Sequence, residues 1–494
     1  MDCHPVSQPD EDELTRATNY HELTPWAMRS QAERCRIIGK ARHEIARCAD
    51  HLISAARSEQ RTDDLETVTS ELIPLCDALG WIGRHGRKVL SNRPVGLSGR
   101  PIWIWGVRSE VQRVPWGRVL ILGTWNYPIF LIGVQTAQAL AGGNTVLLKP
   151  AAGSEQVTQE LANAFYRAGV PTDSLRLLDS STAAAVEAMD AGVDLVVLTG
   201  AAKTGRKVLH QAAEQLTPAI MELSGVDGVI VLRGADRQRV VSAIRFGLLF
   251  NSGATCIGPR RVIFVQDHQL PSVDPDWVAD LIATLGAADA VLVHQAARDS
   301  VASVIESAIA QGAVDRIGKF NGEELRRSGQ MHPVVLTNVP QEHDVLQSDL
   351  FAPVMSLLPV ESVDEAVEAI NTCRYRLAAS VFGATGEAQA VAERLAVGSV
   401  VVNDLVAPTA DPRLPFGGRG ESGFGVTRGP EGLLAMTTPR VISTRHGGIA
   451  PHLSPRNDAD TELLTGVLQL NHSRGFRDRI EALRRLATAA RRRR

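Results

Sequence analysis

The chain lacks most of the features that would assign it quickly. None of its six cysteines (Cys3, Cys35, Cys48, Cys76, Cys256, Cys373) forms a CxxC pair. That argues against a zinc site or a disulfide framework, so no metal is expected, and it fits a reducing compartment. Met1–Leu14 is acidic and polar with no apolar core, so no secretory leader is expected. The longest apolar stretch, Val119–Ala141, is broken by Asn126, Pro128 and Gln135, which argues against a membrane span. A large charge of one sign is missing too: the formal net charge is −3, and nothing global points to nucleic acid. No GxGxxG fingerprint occurs, which counts against the ordinary Rossmann mode of dinucleotide binding. Gly200–Gly205 imitates a phosphate loop, but Arg206-Lys207 stands where Lys-Ser/Thr is needed, so nucleoside triphosphate binding is not expected.

What remains is an ordinary globular composition. Of 494 residues, 44% are hydrophobic and 22% charged, enough for two or three domains with full cores, and the cytoplasm is the default location. Ala27–Leu90 has apolar residues at helical spacing, as in Ile37, Ile38, Ala41 and Ile45. Ser91–Val114 is rich in Pro, Gly and β-formers, including Ile102-Trp103-Ile104-Trp105, and reads as a connecting hairpin. From Arg118 short apolar runs alternate with helical segments. The runs are Val119–Leu122, Thr145–Leu148, Asp194–Leu198 and Gly228–Leu232, which together predict a parallel α/β sheet. After Cys256 the alternation restarts with Arg261–Val265, Val291–Val293, Val334–Leu336, Val354–Leu358 and Ser399–Val402, predicting a second α/β domain. A cleft between two such domains is a usual place for a small-molecule site.

Three separated motifs carry chemistry. Phe250-Asn251-Ser252-Gly253-Ala254-Thr255-Cys256, with Arg261 soon after, places a thiol on a loop between a helix and a strand. A free thiol has a pKa of about 8.5, so a neighbouring base or cation is needed to raise the thiolate fraction. Glu222, among apolar Ile220, Met221 and Leu223, is the candidate base, because a dry setting lifts a carboxylate's pKa toward neutrality. Asn126 in Gly123-Thr124-Trp125-Asn126-Tyr127-Pro128 is the candidate amide donor to an oxyanion, with the Cys256 backbone N–H as second donor. Lys149, ending a strand, can reach ribose hydroxyls, and the Gly200–Gly205 turn can meet a pyrophosphate at a helix N-terminus.

The order Asn, Lys, Glu, Cys, with Pro415-Phe416-Gly417-Gly418 and Ser422-Gly423, resembles the aldehyde dehydrogenase superfamily from about Val114 to Val441, most like its class-three branch. That branch acts mainly on medium and long aliphatic or aromatic aldehydes. The resemblance implies an α/β fold with a Rossmann-like cofactor domain over residues 21–224, interrupted by a dimerisation hairpin at 91–114. It further implies a catalytic α/β domain over 225–410 and a return segment over 411–445. A flexible segment at 1–20 and a basic extension at 446–494 would flank these. Cys256 would be the nucleophile, Glu222 the general base and Asn126 the oxyanion donor. Lys149, Trp125, Gly200, Gly205, Leu223, Asp349 and Phe351 would contact NAD or NADP.

Several positions depart from the family's pattern. Ala254 replaces a Gln, Ser224 and Val226 replace Gly and Lys, and Ala201 replaces a Ser. Asp349 stands where a Glu usually holds the nicotinamide ribose. Ala152 replaces a Glu that repels a 2′-phosphate, so NADP is expected to be tolerated. Two rivals stay open: an acylating enzyme that passes its thioester to coenzyme A, and a non-catalytic homologue. In the tail, Pro451–Thr461 reads as a linker. Phe476, Ile480, Leu483 and Ala487 then share a helical face flanked by Arg477, Arg484 and Arg485, and Arg491–Arg494 close the chain. This helix is either a solvated or docked one, or a contact for an anionic surface.

Overall fold

The structure, a computed structural model, describes residues 24–101, 104, 106–266, 276–447, 451–453 and 455–493. The segment expected to be flexible at 1–20 and three residues of the apolar run, Ile102, Trp103 and Trp105, lie outside the described residues. The chain divides into two compact units. One runs to Asn92 and resumes from Gln112 to Arg440; the other comprises Arg93–Val111 and Val441 onward.

The first unit begins with helices. Ser30 caps α1 (Gln31–Arg47) by accepting from the Glu33 N–H, and α1 buries Ile37, Ile38, Ala41 and Ile45. A π-helical turn, Val68–Leu72, leads into α2 (Ile73–Leu90). Such turns displace one residue from the regular helical register, and here the displaced turn carries the fully buried Glu71.

A six-stranded sheet follows. It comprises β1 (Arg118–Leu122), β2 (Thr145–Lys149), β3 (Leu175–Leu177), β4 (Leu195–Gly200) and β5 (Ala219–Leu223). These run parallel in the order β3-β2-β1-β4-β5, and Gly423–Phe424 adds an antiparallel strand beyond β5. The strands are Val/Leu/Ile-rich because both faces are covered. On one face lies α3 (Phe130–Gly142), all of whose residues are buried, ending at Gly143 in a left-handed conformation.

The second sheet has seven strands. They are β6 (Asp227–Val231), β7 (Pro259–Val265), β8 (Val314–Asp315), β9 (Val334–Thr337), β10 (Val354–Val360), β11 (Ala378–Phe382) and β12 (Ser399–Val402). Their order is β8-β9-β10-β7-β6-β11-β12, parallel except for β8.

Two expectations are corrected here. The run at Gly228–Leu232 belongs to the second sheet, not the first, and the first sheet is completed instead by β5, which carries Glu222. Only Ser224-Gly225-Val226 separates the two strands, so adjacency in sequence hid a crossing between sheets. The run at Val291–Val293 is a two-residue strand paired antiparallel with Gln330–Met331, outside the seven-stranded sheet.

Arg93–Val95 of the second unit pairs antiparallel with Val107–Pro115, with Val95 opposite Ser109; Thr437–Arg445 is the third strand of that sheet, and both longer strands extend beyond the second unit. The tail holds two helices where one was expected, α4 (Asp460–His472) and α5 (Phe476–Arg493).

Candidate active site

The strand order of the first sheet reverses between β1 and β4, and ligands of open α/β sheets bind beyond the carboxyl ends of the strands at such a point. Lys149 ends β2, Trp125 lies in the loop after β1, Gly200 ends β4 and Leu223 ends β5. Gly205 lies in the helix that follows β4, where a Cβ would come within 2.8 Å of Leu223 Cδ1. That helix, Ala202–Glu214, starts with no side-chain cap and no acid in its first turn. Its leading N–H groups therefore suit a pyrophosphate. Lys149 Nζ donates to the Pro150 carbonyl at 3.0 Å. Burial lowers its pKa, and Asp179 and Glu155 pull it back up. Ala152 is exposed and offers no charge.

The thiol loop is held far more tightly. Asn251 and Ser252 have φ of 51° and 54°, and Gly253 follows at 78°. Non-glycine residues in this region cost energy and persist only where surroundings over-determine them. A side chain at Gly253 would sit 2.5 Å from the Ala352–Pro353 backbone, so glycine is required there. Buried Arg260 clamps the loop through the carbonyls of Gly253 (2.6 Å), Thr255 (3.2 Å) and Ala352 (2.7 Å). Arg261, singled out in the sequence, instead binds the carbonyls of Val226 and Ala369.

Asn126 joins this loop. Its Nδ2 donates to the Ala254 carbonyl at 2.9 Å, and its Oδ1 accepts from Thr124 Oγ1 at 2.7 Å. The Asn126 carbonyl accepts from Asn251 Nδ2 at 2.8 Å and from Arg61. Beside it, the Tyr127 hydroxyl and Thr255 Oγ1 are 2.6 Å apart. Arg61 also pairs with Glu71 at 2.5 Å, and Glu71 accepts from the N–H groups of Ile129 (2.6 Å) and Phe130 (2.9 Å) at the start of α3. Glu66 accepts from the Asn251 N–H. The stretch from Arg61 to Glu71, silent in the sequence, thus fixes both loops.

Glu222 faces the same region. It is 3% exposed; Oε2 accepts from Thr427 Oγ1 at 3.0 Å, and Oε1 has no partner among the described residues. Burial pushes its pKa up, while Arg428 and Thr427 oppose the shift. Cys256 packs on Ile257, Leu377, Ala378 and Phe416. That burial, with the negative charges of Glu222, Asp227 and Asp349, pushes the thiol well above its ordinary range, and Arg428 pulls it down. These surroundings disfavour the Cys256 thiolate, and its activation needs a proton acceptor and added positive charge. Arg428 is the cation at hand. Its guanidinium lies 4.1 Å from the Phe416 ring centroid and 5.3 Å from that of Phe130, and its Nη1 donates to the Thr409 carbonyl at 2.7 Å.

Asp349 is buried near Arg260 (3.5 Å); its Oδ1 accepts from the Phe351 N–H at 3.2 Å, and Oδ2 has no hydrogen-bond partner within 3.5 Å among the described residues. Burial, opposed chiefly by Arg260, pushes it up to about 6. An orphaned acceptor there suits a ribose hydroxyl. Phe351 tilts against Trp125 at 6.1 Å, and His294 stacks on Trp125 at 4.4 Å. The structure thus gathers Cys256, Glu222, Asn126 and Asp349 in one electrostatic neighbourhood and joins Trp125 to Phe351, with Lys149 at another strand end. Sequence reasoning missed Arg61, Glu71, Arg260, His294 and Arg428. Only Arg428 carried a signal, as a cation inside a glycine-rich return loop. Among the described residues, no His, Cys, Asp and Glu cluster suits a metal ion.

The aldehyde dehydrogenase family model matches residues 6–442. A 4,4'-diapolycopene aldehyde oxidase from Methylomonas is 30% identical, covering 88% of this chain and 82% of its own length. A relative from Mycobacterium tuberculosis, whose name specifies succinate semialdehyde and NADP(+), is 30% identical over 85% of this chain and 82% of its own. A solved NAD-dependent aldehyde dehydrogenase from Sinorhizobium meliloti superposes with a TM-score of 0.78 at 24% identity, covering 87% of this chain and 85% of that one.

Proposed function

The chain belongs to the aldehyde dehydrogenase family, NAD(P)-dependent oxidoreductases that convert aldehydes to acids, and from that premise we propose that Cys256 carries the substrate as a thioester. The observation behind this is the joining of Asn126 to the Cys256 loop within the charge field of Glu222.

Cys256 Sγ attacks the carbonyl carbon as its proton leaves to solvent. The carbonyl oxygen takes up the electron pair. Asn126 Nδ2 uses one N–H on Ala254 and has a second for that oxyanion, alongside the Cys256 backbone N–H. The residues at the strand ends suit NAD or NADP, which when bound supplies the hydride acceptor that leaves a thioester on Cys256. Glu222, whose raised pKa suits it to accept a proton, then deprotonates water; the resulting hydroxide displaces the Cys256 thiolate from the acyl carbon, freeing the acid, and Glu222 returns its proton to the sulfur. Retention of Glu222 favours hydrolysis over transfer to coenzyme A.

Residues 21–224 we assign to cofactor binding and 225–410 to the thiol, with 411–445 closing the site. Lys149, Trp125, Gly200, Gly205, Leu223, Asp349 and Phe351 contact the cofactor, and Ala152 leaves room for NADP. Medium to long apolar or aromatic aldehydes are the substrate class, in keeping with the class-three motifs and the relative named for 4,4'-diapolycopene aldehyde. A homodimer in the cytoplasm accords with the exposed hairpin and with the free Cys35, Cys48, Cys76, Cys256 and Cys373. In Glu222→Gln, pre-steady-state mixing should give a burst of one equivalent of reduced nicotinamide and then a stall. Undiminished steady turnover would remove Glu222 from the hydrolytic step.

A further inference from the structure

The C-terminal hairpin carries a face that neither the fold nor the proposed chemistry uses. Helices α4 and α5 pack through small residues. Gly466 lies so close to α5 that a Cβ there would be 2.7 Å from Leu486 Cγ, and Ala482 and Ala489 are fully buried. Apolar side chains of α5 point elsewhere. Phe476 is 78% exposed, Ile480 36% and Leu483 52%, and their spacing of four and three residues, continued by exposed Ala487, sets them in one stripe. On α4, Leu464 and Leu468 are exposed as well.

The charges are sorted around that stripe. At 100° per residue, Arg477, Arg484 and Arg491 repeat every seven residues along one border, and Arg479 stands on the other. Asp478 and Glu481 fall away from it. From Ser473 to Arg494 nine arginines face two acids, a surplus of seven positive charges on a chain whose formal net charge is −3. Arg492 is spent on Glu462 of α4 at 3.3 Å. Arg477, Arg484 and Arg485 are exposed and make no ion pair among the described residues.

We propose that α5 docks this enzyme flat on an anionic lipid bilayer, its Phe476–Ile480–Leu483 stripe in the acyl boundary and its arginines on the headgroup phosphates. An apolar stripe bordered by arginines on a helix of low overall hydrophobicity has the composition of an interfacial helix. A polyanion such as RNA would use the arginines and leave the stripe in water. A second copy of the chain would cover the stripe but meet the same positive charges. No described helix is long and apolar enough to cross a membrane, so attachment is peripheral. The inference is independent of the assignment of Cys256.

The test is sedimentation of the full chain with vesicles of phosphatidylcholine alone or mixed with phosphatidylglycerol, at low and high salt. Binding should be at least about tenfold stronger to the mixed vesicles and should weaken with salt. Leu483→Asp and the pair Arg477→Glu/Arg484→Glu should each lose about tenfold or more, while oxidation of a water-soluble aldehyde stays intact and shows that the variants fold. Equal binding to both vesicle types, or none, overturns the proposal. So does Leu483→Asp binding vesicles normally, or converting a dimer to a monomer without changing vesicle binding. RNA binding that Leu483→Asp leaves unchanged, in the absence of vesicle binding, points to a nucleic-acid surface and also overturns it.

Discussion

The thiol loop and the strand ends assigned to cofactor are built on different plans. Around Cys256 the carbonyls of Phe250, Gly253, Ala254 and Thr255 are each claimed by a side chain. Arg260 takes three, and Asn126 and Asn251 share the Ala254 carbonyl. The Asn126 carbonyl is in turn held by Arg61 and Asn251. At the strand ends the fixed elements are backbone and glycine, with a single lysine resting on its neighbour's carbonyl. A covalent step needs a few atoms held to within fractions of an ångström, so that side is over-determined. Binding a long cofactor spreads its energy over many weak contacts, so that side tolerates substitution. The departures Ala152 and Ala201 fall there, whereas the thiol loop itself departs only at Ala254 and Asp349 departs beside Arg260, which clamps it.

The sharpest way to break this contrast is on the rigid side. Cys256→Ala should abolish aldehyde oxidation in a steady-state assay while leaving the thermal transition near that of the parent. Asn126→Ala should lower kcat about 10²–10³-fold, corresponding to about 2.7–4 kcal/mol of lost oxyanion stabilisation. A tenfold or smaller loss would mean that the backbone N–H suffices.

Next comes the support beneath that side. Glu71→Ala leaves Arg61 buried without its carboxylate and uncaps the start of α3. It should cost about 3–5 kcal/mol in chemical denaturation. A cost below 1 kcal/mol would show that the clamp is redundant.

Arg428 tests the electrostatics. It lowers the pKa of both Cys256 and Glu222, and both act in their deprotonated forms. Removing it raises both pKa values, so the deprotonated forms appear only at higher pH. The rising limb of kcat/KM against pH should move alkaline by roughly one unit in Arg428→Gln. A limb that stays in place would reduce Arg428 to a packing role on Phe416.

The smallest effect belongs to the permissive side. With Ala152 in place of a carboxylate, the ratio of kcat/KM for NAD and NADP should stay below about a hundredfold, and Ala152→Glu should tilt it toward NAD by about 1–2 kcal/mol. A strong preference for NAD in the parent would show that the strand ends discriminate by another route.

The sequence displayed this division only in part. The parallel strands were readable because buried strands are continuous apolar runs, and Glu222, Cys256 and Asn126 because their neighbours form motifs. Which sheet each run joins was not readable. The chain crosses between sheets within three residues after Leu223, and no local pattern marks the crossing. Arg61 and Glu71 act on Asn126 and α3 from more than fifty residues away, on a helical stretch that reads as ordinary. Cys256 posed the opposite problem. Its motif reads as a ready nucleophile, yet its apolar packing and its three acidic neighbours disfavour the thiolate. Helix α4 was missed because its buried residue, Gly466, is a glycine and gives no periodic apolar signal.

The central claim is that Cys256 carries the acyl group. The most direct measurement is acid quenching of the enzyme during turnover with an aldehyde and oxidised nicotinamide, followed by peptide mass mapping. The account predicts an acyl adduct on the peptide containing Cys256, accumulating in Glu222→Gln. An adduct confined to Cys35, Cys48, Cys76 or Cys373, or turnover with no covalent adduct at all, would contradict it.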